Sequence, residues 1–236
     1  MGRTQRAIEQ TVKYYVCSPI GRTGSKRIVN GIWTELETNQ KFYIPPMNGN
    51  HSSDSEHIED FLDGFRIVTK VSKSIEKTEK IANSGVKELL DTWSSPIVCH
   101  SHNPTIMPTD SGDWMFILST RRDKIDIAFS IIMARETKSY EPSQPVDSNF
   151  QAFVADIEEV KTLVKYANIL ENVFIENVKK LTGGMPKIVF VEDSWETLER
   201  KIGMTLNHKE HDTATISTHR AYKYVVNYEE IRTKLL

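Results

Sequence analysis

The segment from Asn149 to Leu181 runs without proline or glycine. It sets Phe153, Ile157, Val160, Val164, Ile169, Val173 and Val178 along one side and stops at Gly183-Gly184. Apolar residues at this spacing make one stripe of a helix, and glycines commonly close a helix at its C-terminus. The strand-like run Lys187 to Val191 (KIVFV) follows at once. A strand–helix–strand step of this kind returns the chain parallel to its start, so the pattern predicts an α/β fold with at least one parallel strand pair.

The rest of the chain reads as follows. Lys13 to Ser18, Arg27 to Leu36 and Lys41 to Ile44 are strand-like, separated by the basic turn GRTGSKR (Gly21 to Arg27) and the polar turn ETNQ. Pro45-Pro46 and the loop Asn48 to His57 mark a boundary, giving an N-terminal β-rich region over 1–50 and an α/β core with a C-terminal extension over 51–236. Helices are expected over Ser55 to Val68 and Ser72 to Trp93, and a short strand over Pro96 to Cys99. Beyond the Pro-rich connector Glu141 to Ser148 and the long helix, Ser194 caps the helix WETLERKI, and NYEEIRTKLL closes the chain as a helix. Trp114 to Ser119 and Ile125 to Arg135 read as two apolar strands joined at Arg121 to Lys124. The expected architecture is therefore a mixed sheet with a central antiparallel hairpin flanked by helices.

Of the 236 residues, 39% are hydrophobic and 26% charged, which suits a packed core rather than wholesale disorder. No apolar run approaches the roughly 20 residues of a bilayer span, and the N-terminus lacks the apolar stretch of a secretory signal. Cys17 and Cys99 are the only cysteines, too few for a disulfide framework. The expectation is a soluble, intracellular (cytoplasmic) protein with no membrane partner. A net charge of -2 is unlike that of a nucleic-acid coat protein.

The predicted hairpin carries the sharpest chemical signal. Pairing Thr120 with Ile125 sets Asp110 near Arg135 and Asp113 near Ile132, within a slip of a residue or two. Glu136 and Lys138, two apart, leave the same face of a strand. Asp110 or Asp113 can then share a hard divalent cation, Mg²⁺ or Mn²⁺, with Glu136, while Lys138 orients a metal-bound water. Glu88, on the preceding helix, is a further candidate ligand.

These residues resemble the PD-(D/E)xK nuclease superfamily over roughly Ser72 to Asp193. The resemblance lies in the element order (helix, three strands, helix, strand), an acid on the second strand and an acid-x-lysine on the third. It implies a metal-dependent nuclease, or a nuclease-like subunit, with Asp110 or Asp113, Glu136 and Lys138 as its site. The superfamily's small antiphage-defence nucleases have a similar acid-x-lysine strand followed by a long helix. No proline precedes either aspartate, and Glu136 follows Arg135 at the strand end.

Other groupings compete. His100 and His102, with His208, His211 and Asp212, could form a zinc site. His51-Ser-Ser and His211-Asp-Thr resemble the paired motifs of 2H phosphoesterases. GRTGSK lacks P-loop spacing and no helix is expected after it, so it reads as a surface turn able to touch phosphate. Tyr14, Tyr15, Trp33, Phe42 and Tyr43 interleave with Lys13, Lys26, Arg27 and Lys41, as on a single-strand binding face or in a core. The alternative to catalysis is a binding or assembly protein that uses its long helix toward a protein partner or a second copy of itself.

Overall fold

A computed structural model describes residues 12–36, 40–44, 65–72, 75–81, 86–94, 96–137, 148–206 and 223–236. They form strands β1 (Lys13–Cys17), β2 (Gln40–Ile44), β3 (Phe65–Ser72), β4 (Ile75–Ile81), β5 (Val98–Ser101), β6 (Trp114–Thr120) and β7 (Lys187–Phe190). The helices are α1 (Ser25–Glu35), α2 (Val86–Thr92), α3 (Lys124–Thr137), α4 (Ile157–Thr182), α5 (Trp195–Ile202) and α6 (Tyr228–Leu235).

All seven strands join one sheet in the order β4-β3-β2-β5-β1-β6-β7. The run from β2 to β7 is parallel throughout. β3 lies antiparallel to both β2 and β4 and extends one edge. A parallel strand covered on both faces must be apolar on both, as the buried Tyr14-Tyr15-Val16-Cys17 of β1 is. Tyr15, Cys17, Phe42, Cys99, Phe116 and Leu118 meet Val86 and Leu90 of α2 and Phe174 and Val178 of α4. On the opposite face Tyr14, Val16, Val98, Ile117 and Val189 meet α1 and the Leu198 and Ile202 side of α5. The result is a three-layer sandwich with β1 at its middle.

Only the second half of α4 lies on the sheet. Its first half joins α3 and α6 around a separate core that includes Phe129, Ile132, Val160, Tyr228 and Ile231. Lys124, at the start of α3, meets Glu171, while Arg135, near its end, meets Glu159. Glu159 precedes Glu171 by about 18 Å of helix. α3 therefore runs antiparallel to α4 and away from the sheet, and with α6 builds a lobe beyond the carboxyl ends of the strands.

The central hairpin is not formed. Residues expected as its second strand are α3, and β6 is paired on both sides by parallel strands. Asp123 Oδ1 accepts the Ile125 N–H at 2.8 Å in the manner of an N-cap, and Asp126 and Arg135 suit the two ends of the helix dipole. Arg27 to Glu35 is likewise helical, within α1, and Leu36 is its extended C-cap. The helix expected over Ser72 to Trp93 divides into β4 and the shorter α2. Of Ser55 to Val68, residues 65–68 belong to β3 and the rest lies outside the described residues. The N-terminal region contributes β1 and β2 to the common sheet. The long helix forms, starting at Ile157 under an Asp156 cap and ending at Gly183 with φ 72°. Most of its apolar stripe is covered within the chain, by the sheet and by the lobe, while Ile169 stays 48% exposed.

Candidate functional site

β1 and β6 are neighbours, yet the chain leaves β1 for α1 on one face and leaves β6 toward α3 and α4 on the other. The carboxyl ends of such a pair bound the crevice where open α/β sheets receive ligands. The segment from Ser18 to Gly24 lies there, between β1 and the N-terminus of α1. Gly21, Arg22 and Gly24 all adopt left-handed backbone, with φ of 73°, 56° and 70°. Gly24 is required twice over, because a Cβ there would stand 2.4 Å from Val191 Cγ2. No side chain caps α1 at Gly24, and the Arg27 N–H donates to the Gly24 carbonyl at 3.1 Å.

Three hydroxyls fix the loop to β6. Ser18 and Thr23 share a hydrogen bond of 2.6 Å, Thr23 and Ser119 one of 3.1 Å, and Ser119 donates to the Thr23 carbonyl at 3.0 Å. Arg121 Nε donates to the Arg22 carbonyl at 2.9 Å, and Arg22 Nε to Ser130 Oγ of α3 at 3.0 Å. Ile20 packs on Ile127 and Ala167, joining the loop to the lobe. Just beyond β6, the buried Glu171 accepts Thr120 Oγ1 at 2.5 Å and Lys124 Nζ at 2.7 and 2.8 Å.

β5 holds the loop from the other side. His102 Nδ1 lies 2.6 Å from the Ser18 carbonyl, which can only accept, so this nitrogen carries the hydrogen. His100 Nε2 is 2.9 Å from Ser25 Oγ. The two rings are 4.6 Å apart, with Tyr43 edge-on to both. Lys41 lies over the Trp33 ring at 3.9 Å, and Arg27 over Trp195 at 4.0 Å. Burial, then the charges of His102, Lys41 and Lys26, hold His100 well below its ordinary value near 6.5. This edge of the sheet is electropositive.

No family model, curated protein or solved structure matches the chain at a significant level.

The acids singled out in the sequence lie elsewhere. Asp113 precedes β6, and its carbonyl accepts Lys13 N–H at the amino end of β1; Asp110 is exposed in the same loop. Glu136 is in the last turn of α3, bonded to Arg135 at 2.9 Å. β6 is about 20 Å long, and α3 continues away from its carboxyl end, so the aspartates and Glu136 lie on opposite sides of that edge and cannot share an ion. Glu88 is exposed on α2, and Lys138 lies outside the described residues. Among the described residues no three His, Cys, Asp or Glu side chains converge, so the acids do not fit the expected Mg²⁺ or Mn²⁺ ion.

His100 and His102 each turn a nitrogen to the loop, while His51, His208, His211 and Asp212 lie outside the described residues. Tyr14, Tyr15, Trp33 and Phe42 are core residues. Among the described residues no helix is long and apolar enough to cross a membrane. In sequence, Ser18, Ser119 and Arg121 carry no assigned role, and Thr23 and Ser25 are marked only as part of a basic turn able to touch phosphate. The usable signal was Ile28, Ile32, Trp33 and Leu36 at helical spacing directly after Gly24.

Proposed function

We propose that the protein binds a phosphate-bearing ligand, a nucleotide, at the carboxyl ends of β1 and β6, with the Ser18–Gly24 loop and the first turn of α1 as the cradle. The observation that carries this reading is the loop itself. A left-handed glycine that admits no side chain joins the central parallel strand to an uncapped helix at the point where the connections diverge. Such an arrangement aims backbone N–H groups and the positive end of a helix at one place, which favours an anion. Lys26, exposed in the first turn, and the basic groups around His100 add the same sign of potential.

GRTGSK places serine before lysine, so the glycine-lysine-serine order of a P-loop is absent and no hydrolysis is proposed. The acids a metal-dependent nuclease would need lie apart, Asp113 at the amino end of β6 and Glu136 in the last turn of α3. The test is calorimetric titration with ADP, ATP and inorganic phosphate. Binding is expected, and Lys26→Ala should weaken it about tenfold, as the loss of one charge-assisted contact does. Absence of binding at millimolar ligand, or an affinity that Lys26→Ala leaves untouched, would refute the site.

A further inference from the structure

On the lobe, α4 together with the start of α3 and the end of α6 leaves an open cavity of about 380 Å³, within the range of small-molecule sites. It shares no residue with the loop after β1. Its floor is apolar, made by Ile125 of α3, Val164 and Ile169 of α4, and Leu235 of α6. Its rim is polar and carries charge of one sign, from Lys161, Lys165, Asn168 and Asn172. We propose that this groove binds a small apolar monocarboxylate. The hydrocarbon body covers the floor, and Lys165 holds the carboxylate with the asparagine amides that follow it along α4.

The rim residues follow one another at spacings of four, three and four, so they share one face of α4 over about 16 Å. No acid lies among the lining residues. Lys161 is held by Glu158 at 2.7 Å. Lys165 has Lys161, Thr162, Asn168 and Ile169 one turn away on either side, so its own helix offers it no carboxylate. Among the described residues, neither its ammonium nor the Asn168 and Asn172 side-chain amides has a bonding partner.

Asparagine is a poor helix former, because its amide competes for backbone groups, yet α4 sets two of them one turn apart at this rim. Ile169, 48% exposed, leaves apolar surface at the same place. A lysine and two amides donate N–H groups, and carboxylate oxygens accept them. A phosphate would leave the floor bare, and a neutral hydrocarbon would leave the lysine without a counter-charge. A second copy seated on this face about a two-fold axis would set lysine against lysine.

The probe is octanoate, with 1-octanol as the neutral compound of equal chain length. Backbone and side-chain amide signals of the full chain are followed by NMR during each titration. Octanoate should bind one equivalent per chain, with shifts centred on Asn168, Asn172 and Leu235. Shortening it to hexanoate should weaken binding by up to about fourfold for each methylene removed. Lys165→Met keeps the stem over the groove and removes the charge. It should weaken octanoate about tenfold and leave 1-octanol unchanged, and Lys165→Arg should restore the octanoate affinity. Lys165 is exposed, so neither variant disturbs the core.

No saturable octanoate binding up to about 10 mM overturns the proposal, as do shifts centred away from the groove. Equal octanoate affinity in Lys165→Met, or 1-octanol bound as tightly as octanoate, overturns the carboxylate assignment. Self-association that broadens the same signals without ligand gives the groove to a second copy and overturns it too.

Discussion

Replacing Gly24 by alanine tests the geometry on which the loop depends. The residue sits at φ 70°, where an L side chain costs about 1 kcal/mol. The added Cβ would also stand 2.4 Å from Val191 Cγ2 and 3.2 Å from Val191 Cβ. Valine is stiff at χ1 and is buried here, so relief requires an off-rotamer side chain or a shift of α1 away from the end of β7. Overpacking of this kind adds about 1–3 kcal/mol, and Gly24→Ala should destabilise by about 2–4 kcal/mol in all.

Urea unfolding followed by far-UV circular dichroism measures the loss. The same substitution made in a Val191→Ala background separates the two contributions. Without Cγ2 the closest approach relaxes to the 3.2 Å contact, which a few tenths of an ångström of movement absorb. The cost of Gly24→Ala should then fall to about 1 kcal/mol, that of the left-handed backbone alone. An equal cost in both backgrounds would show that Val191 does not enforce glycine at this position.

Lys124→Met strands Glu171 beneath the lobe with only Thr120 to bond it. It should cost about 2–3 kcal/mol, the low end for a broken buried pair because the lysine is partly exposed, while Lys124→Met/Glu171→Leu should return to within about 1 kcal/mol of wild type. Chemical denaturation of the three variants gives the coupling directly, and an additive double mutant would contradict the pairing.

The His100 ring also makes stability depend on pH. Its folded pKa lies below its unfolded value, so the unfolded chain binds more protons at mildly acidic pH. Stability is then whole above about pH 6.5 and is lost as pH falls below it, by up to about 1.4 kcal/mol per pH unit. His100→Gln should remove that component, read as the difference between the two pH profiles of unfolding free energy.

The chain discloses its architecture unevenly, and the reasons lie in burial. α4 is legible because half of its circumference meets solvent along most of its length, which preserves a periodic stripe between the Asp156 cap and Gly183. α3 is covered by α4, by α6 and, through Ile127, by the loop residue Ile20. Ile125, Ile127, Ala128, Phe129, Ile132 and Met133 are all buried, so the stripe disappears and a β-branched run imitates a strand. α1 was obscured by its own isoleucine, valine, threonine and tryptophan, residues that favour strands in isolation. Yet Ile28, Ile32 and Leu36 recur at helical spacing toward one core. The site followed the same error, because a glycine loop gains meaning only when a helix follows it. The acid-x-lysine pattern lost its meaning once its strand proved to be a helix.

One rod serves two interiors. Phe174 and Val178 fasten α4 to the sheet, while Val160, on the same unbroken helix, is set in the lobe. Opening the lobe thus requires a break in the backbone ladder of α4 or a drag of its aromatic anchor across β1 and β6. The lobe and the sandwich should therefore exchange amide hydrogens as a single cooperative unit. Any movement that a ligand provokes through Ile20 would be a tilt of the whole beam about its seat on the sheet.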